Sequence, residues 1–229
     1  MRALTTHLSP SRYSFEDRGM TRLLIAGATG LVGKLALERA LADSRVTQVI
    51  APTRRPIAPR EKLENVVIDF SDLPDSAEWW RVDGVICALG TTRAVAGSAE
   101  AFRAVDYDYP LAMARLARKH GATRFALTSS LGADPRSRLL YPRTKGELEV
   151  AVRQLDYPSL TILRPSVLGG LREPARAGER MAQIGFRLLA PLLPRRLRVS
   201  PADVVAACLI EAAIAGAPGV HVLHNQDMA

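Results

Sequence analysis

Residues 22–43, RLLIAGATGLVGKLALERALAD, constrain the fold of this chain more than any other stretch. RLLIAG (22–27) reads as a short buried strand, and LVGKLALERALAD (31–43) carries apolar residues at helical spacing. The loop between them is G27-A-T-G30-L-V-G33. Gly27 permits a tight turn, Gly30 lets backbone approach a diphosphate, and Gly33 lets strand and helix pack closely. The helix start then offers unpaired N–H groups and partial positive charge to an anion, with Thr29, Leu31 and Val32 in the same turn. Glycine spacing alone is a weak signal. A strand before it and a helix after it predict a dinucleotide-binding unit.

The same alternation continues down the chain. Strands are expected at 46–52, 65–70, 83–90, 124–130 and 159–165, and helices at about 98–119 and 142–155. Strands alternating with helices imply an α/β fold, a doubly wound parallel sheet of the Rossmann type. At 229 residues the chain suits a single domain, taken here as residues 20–229. Residues 166–229 are expected to form a small C-terminal substrate-side lid. They read as an amphipathic helix within 178–198, a helix near 202–215 and a short strand, GVHVL. Pro191 and Pro194 interrupt the amphipathic stretch too soon for a long membrane-surface helix, so it is expected to pack beside the site. Residues 1–19 are polar and aperiodic and are read as a disordered or irregular extension.

Composition narrows the partners. The net charge of +8 comes mostly from arginines, but these are dispersed, and aromatics contribute only 5 %. That pattern favours a solvated face with one phosphate-binding cluster over a nucleic-acid surface. No apolar run approaches the roughly 20 residues that span a bilayer, so stable membrane insertion is not expected. Residues 1–19 lack the apolar core of a signal peptide, and Glu16 and Asp17 count against a transit peptide, which predicts a cytoplasmic protein. Cys87 and Cys208 each lie in an apolar stretch and read as buried thiols. The four histidines are scattered without metal-ligand spacing, so no metal site is expected.

The end of the second strand selects among dinucleotides. An NAD site commonly carries Asp or Glu there to bond the ribose 2′-hydroxyl. From Val46 to Arg60 there is no acid, and Thr53, Arg54 and Arg55 stand at the expected position. Guanidinium groups pair with a 2′-phosphate that a carboxylate would repel. The cofactor expected is therefore NADP(H).

A second constellation lies in LLYPRTKGELEV, residues 139–150. Pro142 suits a first helical position, which leaves Tyr141 as N-cap, an unusual residue for that place. Lys145 follows four residues later and so shares a helix face with Tyr141. A neighbouring ammonium and the positive end of a helix both stabilise a phenolate. Tyr141 is thus the candidate acid/base toward a substrate carbonyl or alcohol, and Lys145 the candidate donor to the nicotinamide ribose. The preceding strand ends in Ser129 and Ser130, whose hydroxyls can orient a substrate oxygen.

Taken together, CALGTTR (87–93), VDYDYP (105–110), TSSLGAD (128–134), YPRTKGELE (141–149) and LRPSVLGG (163–170) resemble an atypical short-chain dehydrogenase/reductase. The resemblance runs from about residue 20 to the C-terminus. It is to the subgroup of small NADP-binding proteins related to the Tat-interacting tumour suppressor and its bacterial counterparts. It implies that Leu89, Gly90 and Thr91 line the cofactor. It further implies that Asp69 and Phe70 flank the adenine and that Pro165 to Val167 face the nicotinamide amide. By alignment of the strand end, Ser130 is the catalytic serine, with Ser129 beside it. One position departs from the wider superfamily: Asp106 stands where an active-site asparagine is often found.

An NADP(H)-dependent oxidoreductase acting on a small-molecule carbonyl/alcohol pair is the leading function. A redox-sensing regulator that binds NADPH and a protein partner is the alternative, and a sugar-nucleotide epimerase or dehydratase the third. The sequence leaves substrate and oligomeric state open.

Overall fold

The computed structural model describes residues 21–169 and 198–228. Their frame is a seven-stranded sheet of β1 (Thr21–Ala26), β2 (Val46–Thr53), β3 (Leu63–Val67), β4 (Gly84–Cys87), β5 (Arg124–Thr128), β6 (Ser159–Arg164) and, last, β9 (Gly219–His224). The intervening β7 (Leu168–Gly169) and β8 (Ser200–Pro201) pair separately. In space the order is β3-β2-β1-β4-β5-β6-β9, and each neighbouring pair is parallel. This is the doubly wound Rossmann arrangement, with its switch point between β1 and β4.

Parallel strands covered on both faces need apolar residues at successive positions, which is why they read as continuous runs. Along β1 the side chains alternate between two cores. Leu23 and Ile25 join Ala36, Leu37 and Ala40 of α1 (Leu31–Ala42), together with Val205 and Leu209 of α6 (Ala202–Ala215). Leu24 and Ala26 join Met113 and Ala117 of α4 (Tyr109–Lys119), with Leu148 and Val152 of α5 (Leu140–Arg153). Residues 202–224, grouped with the lid in the sequence reading, are built into this frame. α6 packs on the sheet beside α1, and β9 extends the sheet beyond β6.

Several boundaries differ from expectation: β4 spans 84–87 where 83–90 was expected and β5 ends at 128 instead of 130, and three further differences have a plain physical cause. β3 covers 63–67 where 65–70 was expected, because the chain leaves the sheet after Ile68 donates its N–H to the Thr53 carbonyl at 2.9 Å. After the short α2 (Arg93–Ala96), the long helix expected over 98–119 is broken into α3 (Ala99–Arg103), a π turn (Ala104–Asp108) and α4. Pro110 is the physical cause. It has no N–H for the Asp106 carbonyl four residues back, and its ring would crowd that carbonyl. The helix widens, and the Tyr109 N–H reaches back five residues to Ala104. Finally, α5 begins at Leu140 with Leu139 as N-cap. Tyr141 therefore lies inside the first turn and is not the N-cap. Pro142 is tolerated there because the first N–H groups of a helix have no intrahelical acceptor. Residues 1–19 and the amphipathic stretch at 178–194 lie outside the described residues.

Candidate functional site

At the switch point between β1 and β4, where folds of this kind hold their ligands in a crevice, the glycine loop lies against the end of β4. Gly27 has φ +87°, and a Cβ there would stand 2.7 Å from the Ala88 carbonyl carbon, so no other residue lets the loop lie against the end of β4. At Gly33 a Cβ would fall 2.0 Å from the Gly27 oxygen. The Gly30 N–H donates to that same oxygen at 2.9 Å, which closes the turn. α1 then begins with no side-chain cap and no acid in its first turn. Thr29 and Gly30 are exposed, and the first turn holds Leu31, Val32 and Gly33. A loop with glycines at its close approaches and small residues between them, leading into N–H groups that no side chain caps, fits the diphosphate of a dinucleotide.

Thr53, Arg54 and Arg55 close β2 on the same edge of the sheet; Thr53 is buried and both arginines are exposed. Neither guanidinium forms an ion pair among the described residues, whereas Arg45, Arg60, Arg103 and Arg164 all do. After β3, Asp69 is exposed and its carboxylate accepts from the Ser71 N–H and hydroxyl at 2.9 and 2.7 Å. Phe70 is buried against Tyr109, with ring centroids 5.8 Å apart.

On the other side of the crevice, α5 carries Tyr141 at 44 % exposure and Lys145 at 4 %. The Tyr141 ring leans on Phe102 of α3, centroid to centroid 5.9 Å. The Lys145 ammonium meets the Asp106 carboxylate at 2.8 Å, and Asp106 is wholly buried. Its other oxygen accepts the Thr91 N–H at 2.8 Å. A Cβ on Gly90 would come within 3.6 Å of the Lys145 Nζ and 3.4 Å of Asp106, so the Leu89–Thr91 loop lies against the ion pair. Burial is the largest single influence and opposes the ammonium, but the Asp106 carboxylate, Tyr141 and Cys87 together outweigh it, leaving Lys145 above the usual lysine value. Cys87, at the end of β4, is pushed up to about 11, chiefly by burial, which disfavours its thiolate.

The two serines separate. Ser129 donates its hydroxyl to Glu149 at 2.5 Å, and Glu149 is gripped by Arg164 at 2.6 and 3.0 Å. That hydroxyl is committed to the protein's own framework. The Ser130 hydroxyl is buried and has no hydrogen-bond partner among the described residues. An orphaned hydroxyl at a strand's carboxyl end has a donor and acceptor to offer a ligand. The next residue, Leu131, donates its N–H to the Pro165 carbonyl at 2.7 Å, tying this edge to the end of β6. Pro165 is buried and Val167 is exposed beyond it.

Sequence reasoning left Asp106 without a role and did not single out Glu149. Pro110, four residues after Asp106, is the one sequence signal that could have flagged the turn holding that carboxylate inward. Among the described residues no group of three or more His, Cys, Asp or Glu could hold a metal, and no helix is long and apolar enough to cross a membrane.

Comparison with known proteins bears on the family and the fold. A family model described as NAD(P)H-binding matches residues 27–213. Protein HTATIP2 of Rattus norvegicus is 35 % identical over 209 residues, 89 % of this chain and 86 % of that protein. Protein fmp52, mitochondrial, of Aspergillus niger is 32 % identical over 233 residues, 91 % and 97 % of the two chains. The solved structure of MoeE5 in complex with UDP-glucose and NAD superposes with a TM-score of 0.69 at 17 % identity, over 88 % of this chain and 75 % of that one, and so shares the fold. The cytoplasmic expectation is overturned by the fungal relatives, which are named mitochondrial. A mitochondrial leader needs no apolar core, and two acids among residues 1–19 were too little to argue against one. With the family model covering most of its length and relatives above 30 % identity along nearly all of it, the chain belongs to the NAD(P)H-binding family, in the atypical short-chain dehydrogenase/reductase branch that its motifs resemble.

Proposed function

We propose that the protein is an NADP(H)-dependent oxidoreductase of the short-chain dehydrogenase/reductase type, acting on a small-molecule carbonyl/alcohol pair. The observation that carries this reading is the buried Lys145 ammonium, one helical turn from the half-exposed Tyr141 and packed under the Leu89–Thr91 loop of the crevice. A bound nicotinamide supplies or accepts the hydride; the chain's own task is the proton. Tyr141 gives or takes it at the substrate oxygen, and the free Ser130 hydroxyl holds that oxygen in place. Lys145 fixes the ribose side of the crevice, and Asp106 fixes Lys145. Preference for the phosphorylated dinucleotide rests on Arg54 and Arg55, exposed at the end of β2 in a stretch without acids.

The test is turnover of NADPH against a carbonyl panel by the wild type and by Tyr141→Phe. Loss of the proton donor is expected to lower kcat by about 10²–10⁴-fold while leaving NADPH affinity in place. A variant that turns over at the full rate removes Tyr141 from its role.

A second reading, an NADPH-binding sensor without turnover, is favoured by one feature. The Lys145 ammonium already has a carboxylate at 2.8 Å, so it needs no phenolate to balance its charge. Absence of turnover with every carbonyl, together with tight NADPH binding, selects this reading.

A further inference from the structure

Asparagine is a poor strand former, yet Asn65 stands in the middle of β3, opposite Ala51 of β2. Its side-chain amide accounts for the choice. One N–H goes to the Ala51 carbonyl at 2.8 Å and the other to the Thr53 hydroxyl at 2.7 Å. The amide oxygen accepts the Ile57 N–H at 3.0 Å. Two of these partners precede Arg54 and Arg55 and the third follows them, so one side chain bridges both stems of the arginine turn. Thr53 completes the clasp by donating its hydroxyl to the Arg55 carbonyl at 2.7 Å. No other side chain of this length offers two donors and an acceptor in a plane; aspartate has no donor and serine has one.

Two adjacent guanidinium groups repel each other, and an exposed turn carrying them would spread without a restraint. We propose that Asn65, with Thr53, is a positioning residue for cofactor selectivity, holding Arg54 and Arg55 at the end of β2 where a ribose 2′-phosphate is bound. The proposal rests on the reading that these arginines select NADP(H). It assigns the selectivity to a residue that touches neither the phosphate loop nor the reacting groups.

Calorimetric titration of the full chain with NADPH, NADH and 2′,5′-ADP tests it. Asn65→Ala is expected to weaken NADPH and 2′,5′-ADP about tenfold and NADH less than about twofold, the scale of losing a few net hydrogen bonds. Thr53→Val, nearly isosteric, is expected to move selectivity in the same direction, and it carries the test should Asn65→Ala not fold. A merely structural role would weaken all nucleotides together, and that result overturns the proposal. The double variant Arg54→Ala/Arg55→Ala separates the two levels. If it abolishes the preference for NADPH while Asn65→Ala and Thr53→Val keep it, the positioning role fails alone. If the wild type binds NADH as tightly as NADPH, or the double variant keeps its preference, the selectivity reading fails and this inference with it.

Discussion

The two sides of the crevice are built by opposite means. On the side of β1 and α1 the protein removes side chains. Gly27 and Gly33 leave no room for a Cβ, and the first turn of α1 carries neither a cap nor an acid. On the side of α5 it does the reverse and buries charge, placing the Lys145 ammonium and the Asp106 carboxylate together where water is excluded. The first device depends on shape and backbone dipoles and is indifferent to pH. The second depends on a buried ion pair, so it is stronger locally and costlier to disturb.

The largest effect is therefore expected on the charged side. Asp106→Ala leaves the Lys145 ammonium buried without its partner and the Thr91 N–H without its acceptor. Breaking a buried pair from one end costs about 3–5 kcal/mol. Urea unfolding measures this, and a loss below about 1 kcal/mol would mean that the pair is solvated in solution and that the contrast between the two sides is false.

A smaller effect is expected at the glycine loop. In Gly33→Ala the new methyl collides with the Gly27 carbonyl oxygen, so α1 must move away from β1. Overpacking of this kind costs about 1–3 kcal/mol. Because the displaced backbone is also the proposed anion cradle, NAD(P)H affinity should fall together with stability. Full affinity in a destabilised variant would show that the nucleotide does not use this turn.

This contrast also explains what could be read from the sequence. The glycine loop lies within seven residues, between a strand and a helix that periodicity reveals, so residues 27–33 carried their own context. The i,i+4 relation of Tyr141 and Lys145 was legible for the same reason, although the helix starts two residues earlier than Pro142 suggested. The partner of Lys145 was not legible, since Asp106 lies 39 residues away and faces inward only because Pro110 opens a π turn, which a 3.6-residue period cannot express. Likewise the two serines are equivalent in the string TSSLGAD. Only the tertiary placement of Glu149, on α5, commits Ser129 and leaves Ser130 open. Local backbone chemistry is written in short words, whereas charge pairing depends on tertiary neighbours.

The subtlest test keeps the shape of the charged side and removes only its charge. Asp106→Asn preserves an acceptor for the Thr91 N–H but takes away the carboxylate that raises Lys145. In the wild type the folded-state pKa of Lys145 lies above the unfolded value. The pair's contribution is then complete below the unfolded lysine pKa and is lost only as pH rises through the folded one. In the variant the carboxylate's share is gone, and burial, the largest single influence, is expected to prevail over Tyr141 and Cys87 and depress the folded value, so near the lower edge of the lysine range the unfolded chain binds more protons than the folded one. Stability must then rise with pH over that window, by at most about 1.4 kcal/mol per pH unit, where the wild type shows no such rise from this group. Chemical unfolding of both proteins at several values between pH 7 and 10 reads the slope directly. Parallel curves would mean that Asp106 is not what keeps the lysine charged, and the backbone-built and charge-built sides would no longer differ in their response to pH. Gly33→Ala serves as the internal control, because a steric clash should lower its curve by the same amount at every pH.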